Sequence, residues 1–200
     1  MSKTKTVFSI LTVTCCLFLV REFFWGGSSS PIILVEKNIA IVCLQNQIFT
    51  FGDMSSNEAQ MSVQAVTPYF FSKVFKLEDV AEGKKLSGND VSVLRISPNI
   101  LKMTLAGQTI LFVADEISSA EKEKIAQTPV SLTADFWVLQ KNVFPENLSL
   151  PRVAIISLAL RASKKITEFA KEKKLPLVSA TKTGGVMFEF DGEWGVQTRQ

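Results

Sequence analysis

Residues 91–118 read VSVLRISPNILKMTLAGQTILFVADEIS, and the reading of this stretch decides the fold. The apolar positions of 91–96 predict a strand, and Ser97-Pro98-Asn99 a turn. Residues 100–105 and 109–113 read as a hairpin around Gly107. Asp115 and Glu116 follow at the strand end. Ser118 with Glu121 three positions on has capping-box spacing and opens a short helix over 118–126. Working downstream, 136–139 and 153–157 are unbroken apolar runs of strand length, expected to be buried on both faces. Residues 163–174 form an amphipathic pattern with Ile166, Phe169 and Ala170 on one face. Residues 177–180 read as a strand, and 186–190 with 194–198 as a closing hairpin around Asp191-Gly192.

Upstream, 32–34, 39–44 and 47–51 read as strands, with Gln45-Asn46 as a turn. Ser55 and Glu58 can cap a helix that ends before Pro68. An apolar cluster follows at Phe70, Phe71, Val74 and Phe75. Residues 78–90 are polar with Gly83 and Gly88, and read as a loop. Many strands and few, mostly late, helices predict sheet layers with helices packed outside. The fold class expected is α/β, an α+β sandwich.

The chain has 200 residues, 46% of them apolar, which suits one folded domain with a short appendage. Its 22 basic and 19 acidic residues leave a net charge of +3, too weak a bias to imply nucleic-acid binding alone. There is no histidine. That excludes Ser-His-Asp triads, Cys-His dyads and HExxH metal sites. Three cysteines form no CxxC pair. Cys43 falls in a strand run, so it reads as a small buried hydrophobe rather than a reactive thiol. No small-residue lipobox precedes Cys15 and Cys16.

Lys3 and Lys5 precede an uncharged run over 6–20, followed by Arg21, Glu22, Phe23, Phe24 and Trp25. The run is short for a span, which needs about 20 residues, yet the aromatic flank suits an interfacial belt. No good small-residue cleavage site follows it. We expect residues 1–25 to be a single-pass membrane anchor, 26–31 a linker, and 32–200 a domain on the extracytoplasmic side.

The order of the later segments resembles the soluble hydrolase domain of ComEC-type competence proteins, a metallo-β-lactamase-fold family. GKKLSGNDVSVLRISP (83–98) is similar to its loop and strand, and ILKMTLAGQTILFVADEIS (100–118) to its hairpin and "GD-plus-helix" segment. TADFWVLQKNV (133–143), PRVAIIS (151–157) and PLVSATKTGGVMFEFDGEWGV (176–196) follow in the family's order. NQIFTFGDM (46–54) is faintly similar to its early Asp-Gly strand end. The resemblance implies a trimmed metallo-β-lactamase-like domain, with Asp115 as a vestigial counterpart of a bridging metal-ligand aspartate. The family's histidine loop is missing, and its paired-histidine position falls near Lys141 and Asn142. A lysine ammonium has no lone pair and opposes a cation. No metal or other cofactor is therefore expected.

Carboxylate chemistry has candidates in Asp53, Asp79, Asp90, Asp115, Glu116, Asp135 and Asp191. Asp115 and Glu116 also suit the start of a helix, where acids favour the dipole. Asp191 belongs to its turn and Asp135 to a strand start. Thr181-Lys182-Thr183-Gly184-Gly185 lacks the phosphate-loop frame and reads as a turn. Residues 161–174 carry Arg161, Lys164, Lys165, Lys171, Lys173 and Lys174, which form either a solvated face or a contact for anions or nucleic acid. The function expected is a non-catalytic, membrane-attached binding or assembly module, linked to DNA uptake by the resemblance alone. The alternative is a metal-dependent hydrolase or nuclease using carboxylates around Asp115. The protein partner is not legible.

Overall fold

A computed structural model describes residues 31–36, 38–44, 47–53, 73–88, 90–127, 129, 131–145, 148–159, 161–179 and 185–199. Three strands come first: β1 (Ile32–Glu36), β2 (Ile39–Leu44) and β3 (Gln47–Gly52). β4 (Lys73–Lys76) leads into a 3-10 turn, Leu77–Asp79. A meander follows, of β5 (Lys85–Gly88), β6 (Val91–Ser97), β7 (Ile100–Leu105) and β8 (Gln108–Val113). Helix α1 (Ser119–Gln127), β9 (Ala134–Leu139), β10 (Pro151–Ser157), α2 (Lys164–Glu172) and β11 (Leu177–Ser179) come next. The hairpin of β12 (Gly185–Asp191) and β13 (Glu193–Arg199) closes the chain.

The strands form two sheets. One has six strands in the order β13-β12-β1-β2-β3-β4, the other seven in the order β11-β10-β9-β8-β7-β6-β5. Side chains alternate across each strand, so each sheet presents two faces. Ile33, Val35, Val42, Phe49 and Phe51 from the first sheet meet Val93, Met103, Ile110, Phe112, Phe136 and Ile156 from the second in one core. Phe51 packs on Phe112 with centroids 4.8 Å apart, and Phe136 meets Phe188 edge-on at 5.1 Å. On the other face of the seven-stranded sheet, Leu111, Trp137, Leu139 and Ile155 pack against Ile125 of α1 and Ile166 and Ala170 of α2.

Several expectations need correction. The α/β class does not hold. Thirteen strands in two sheets dominate, against two α-helices of nine residues each among the described residues. Short links join half of the consecutive strand pairs, which leaves few segments long enough for a helix. The polar stretch 78–90 contains an edge strand, β5; Val74 and Phe75 lie in β4, and Phe70 and Phe71 lie outside the described residues. The closing hairpin follows β11 in the sequence but does not pair with it. It belongs to the other sheet, where β12 pairs antiparallel with β1. It reaches across the sandwich through Trp194, which stacks edge-on with Phe136 at 4.7 Å.

The membrane anchor is also withdrawn, with the localisation built on it. Among the described residues no helix is long and apolar enough to cross a membrane. At 1.5 Å per residue a nine-residue helix covers about 14 Å, half of a bilayer core. The run at 6–20, Cys15 and Cys16, the linker at 26–30, Gln45-Asn46 and the helix expected after Ser55 lie outside the described residues.

Two local devices fix the frame. Gly52 has φ +121°, and a Cβ there would lie 2.2 Å from the Asn38 carbonyl oxygen, so only glycine fits. Cys43 is buried within β2, and burial pushes its thiol up to about 12, which leaves it protonated and inert.

Phe169 sits on α2 between Trp137, with centroids 6.1 Å apart, and Phe144 at 4.6 Å. Replacing a packed Phe by Ala typically costs about 3 kcal/mol or more. In urea unfolding, Phe169→Ala is expected to lower stability by about that amount, while the exposed Lys171→Ala stays within about 0.5 kcal/mol. A Phe169→Ala protein with the wild-type midpoint contradicts the docking of α2.

Candidate functional site at the carboxyl ends of the parallel strands

Strands β8, β9, β10 and β11 are mutually parallel, with Val113 opposite Leu139, Leu139 opposite Ser157, and Ser157 opposite Ser179. Their carboxyl ends therefore share one edge of the sheet. In sheets of this kind, that edge is where ligands bind. Three loops leave it: 114–118 from β8, 140–150 from β9 and 158–163 from β10. Gln140 N–H donates to Val113 O at 2.9 Å and Leu158 N–H to Leu139 O at 2.8 Å, which carries the ladder into the loops.

Asp115 begins the first loop and Lys141 the second. Their side chains form an ion pair across the two strand ends. The Lys141 ammonium, and then the Glu116 backbone N–H, hold the Asp115 carboxyl below its ordinary range. Such a carboxylate adds stability above its unfolded pKa, and loses that contribution as pH falls through its folded value. Both side chains are exposed, so the contribution is small.

The first loop is held from behind. Glu121 accepts from Ser118 N–H at 3.0 Å, Asn99 N–H at 3.3 Å and the Asn99 amide at 3.2 Å. Ser118 Oγ accepts from Glu121 N–H at 3.2 Å, which completes the capping box. Burial disfavours the Glu121 charge, but the bonds from Ser118 and Asn99 outweigh it, and the carboxyl titrates below its ordinary value.

Beside the ion pair, a cleft of about 390 Å³ is lined by Glu116, Ile117, Lys122, Asn142, Val143, Phe144, Ser163 and Lys165. It sits against the amino end of α2. Ser163 caps that helix, its Oγ accepting from Ile166 N–H at 3.3 Å. Asn142 Oδ1 accepts from Ser163 N–H at 2.8 Å. The Lys165 ammonium lies over the Phe144 ring, 5.1 Å from its centroid. A second recess of about 190 Å³ at the open edge between β4 and β5 is lined by Phe49, Phe75, Leu86 and Val93.

The basic residues of 161–174 do not converge. Lys165 faces the cleft, Lys164 pairs with Glu168 at 3.6 Å, and Lys173 pairs with Glu172 at 2.7 Å. Arg161, Lys171 and Lys174 are exposed, and Lys174 follows the end of α2 at positive φ. The other carboxylates are dispersed. Asp135 accepts from Thr109 N–H at 2.7 Å inside the sheet. Asp90 and Asp191 flank turns, Asp53 follows β3, and Asp79 lies in the 3-10 turn. Among the described residues no three His, Cys, Asp or Glu side chains gather as a metal site. Residues 181–184 lie outside the described residues, and a strand follows them.

Lys122, Phe144 and Ser163 of the cleft were not singled out from the sequence. Lys122 lies within α1, and only the parallel order of β8, β9 and β10 brings it to Asn142 and Ser163. Comparison with protein-family models, curated proteins and solved structures finds no match in any of the three. The competence link rested on the resemblance and is not carried forward.

Lys141→Ala is expected to raise the Asp115 carboxyl toward its ordinary value in a carbon-detected NMR titration. An unchanged Asp115 titration contradicts the ion pair.

Proposed function

We propose that the chain is a non-catalytic binding module whose working edge is the carboxyl end of β8, β9 and β10. The observation that carries this reading is the Asp115–Lys141 ion pair. Asp115 is the carboxylate that the family resemblance assigns to a bridging metal ligand, and Lys141 falls near a histidine position of the same site. A cation bound at Asp115 would have to displace an ammonium already paired there. It would gain no imidazole in return, since the chain has no histidine, and among the described residues the cysteine, Cys43, is buried in β2. Divalent metals of the zinc and manganese type need several such donors around one point. Glu116 alone is a poor complement, because it lines the neighbouring cleft.

The reading leaves general acid–base catalysis without a suitable group at this edge. Asp115 is held below the ordinary carboxylate range, away from the near-neutral value that suits a proton shuttle. The cleft, with convergent polar groups on an apolar wall, has the make-up of a ligand site.

Calorimetric titration of the protein with zinc and manganese tests the proposal. The expected result is no stoichiometric binding and no phosphodiester hydrolysis. One metal bound per chain, with turnover abolished by Asp115→Ala, overturns it in favour of a carboxylate-based hydrolase.

A further inference from the structure

We propose that β13 is a self-association edge: two copies of the chain pair their β13 strands antiparallel about a twofold axis at Val196, joining their six-stranded sheets into one. The inference is separate from the binding edge of β8, β9 and β10, which belongs to the other sheet.

A sheet edge presents unpaired backbone donors and acceptors, and folded proteins blunt it with short strands or with lysines. Among the described residues three of the four edges fit that pattern. β4 has four residues, with Lys73 and Lys76 at its ends. β5 has four and opens on Lys85. β11 has only three. β13 is the exception, with seven residues, EWGVQTR, and neither lysine nor proline among them.

The β13 backbone is engaged on one side. Phe190 N–H donates to Pro31 O at 3.1 Å, so the Phe190 backbone faces β1 and turns away from β13. Trp194 lies opposite Phe190, Gly195 opposite Glu189, and Val196 opposite Phe188. Antiparallel pairs alternate between hydrogen-bonded and non-hydrogen-bonded. Gly195 and Gln197 therefore bond to β12, while Trp194, Val196 and Thr198 turn their N–H and C=O groups outward. A twofold axis at Val196 sets Val196 opposite Val196 of the second copy, and Trp194 opposite Thr198. Every outward group of these three residues then meets its complement, in a self-complementary interface.

Packing and charge favour the same partner. Val196 shares the face of Phe188, which is buried in the core, and of Trp194, which packs on Phe136. Yet Val196 is 57% exposed, so the facing sheet does not cover it. Val196 of a second copy, directly opposite, supplies that cover. The same axis sets the acid Glu193 of each copy at the register position of the base Arg199 in the other. These are non-hydrogen-bonded pairs, the more closely spaced kind, and opposite charges facing each other stabilise them. A strand of unrelated sequence would not supply both matches.

Sedimentation equilibrium of the full chain over a concentration series tests the proposal. A monomer–dimer equilibrium is expected. Val196→Lys sets two like charges on the axis and should weaken the dimer by about tenfold or more, with the urea midpoint of the diluted monomer unchanged. Glu193→Lys and Arg199→Glu should each weaken it by about fivefold, and the two changes in one chain should restore it. The charge exchange reads the interface without reliance on the Val196 variant. A protein that stays monomeric at every concentration overturns the proposal. So does a dimer unaffected by Val196→Lys, which places the contact elsewhere, or a double variant that associates no better than the single ones, which contradicts the register.

Discussion

Parallel pairing of β9 with β8 on one side and β10 on the other is the constraint on which the rest of the molecule depends. Parallel neighbours cannot be joined by a tight turn, so each pair needs a crossover that leaves and re-enters on fixed edges. The carboxyl ends of all three strands then fall together, and the loops bearing Asp115, Lys141, Asn142 and Ser163 start from one line. An antiparallel β9 would send Lys141 and Asn142 to the opposite edge, away from Asp115 and the amino end of α2.

That register is enforced by burial. All six residues of β9 are buried, and they divide between two cores: Phe136 and Val138 face the other sheet, Trp137 and Leu139 face the helices. A slip of one residue would exchange the two sets. Trp137 would then point at the tightly filled space around Phe188 and Phe112, and Phe136 at α2. The arrangement of α2 follows. Phe169 rests on Trp137, Phe144 closes against Phe169, and Lys165 lies over Phe144. A chain of aromatic contacts thus runs from the strand that sets the register to the cation that lines the cleft.

Local signals in the sequence carried through where the chain settles its own geometry. The β7–β8 hairpin, the Ser118–Glu121 capping box, the amphipathic helix within 163–174 and the burial of Cys43 all depend on neighbours within a few residues or on one apolar run. Long-range pairing was not legible in the same way. β5 is an exposed edge strand with the residues Lys85, Leu86 and Ser87, so it shows no apolar pattern and exists through its ladder to β6. The hairpin of β12 and β13 was legible as a hairpin, yet its sheet was not, because its pairing with β1 spans most of the chain. The α/β expectation came from the late helices set between apolar runs such as 136–139 and 153–157. These runs are indeed parallel and buried, but most of the other strands are antiparallel. The site divides along the same line. Asp115 and Lys165 stood out by residue type, whereas the ion pair of Asp115 with Lys141 forms only across two strand ends.

Hydrogen-bond scalar couplings measured by NMR test the parallel register most directly. The account predicts couplings from the Gln140 amide nitrogen to the Val113 carbonyl and from the Leu158 amide nitrogen to the Leu139 carbonyl, the two bonds that extend the ladder past the strand ends. Couplings from these amides to other carbonyls, or rapid hydrogen exchange at Gln140 and Leu158, would contradict it.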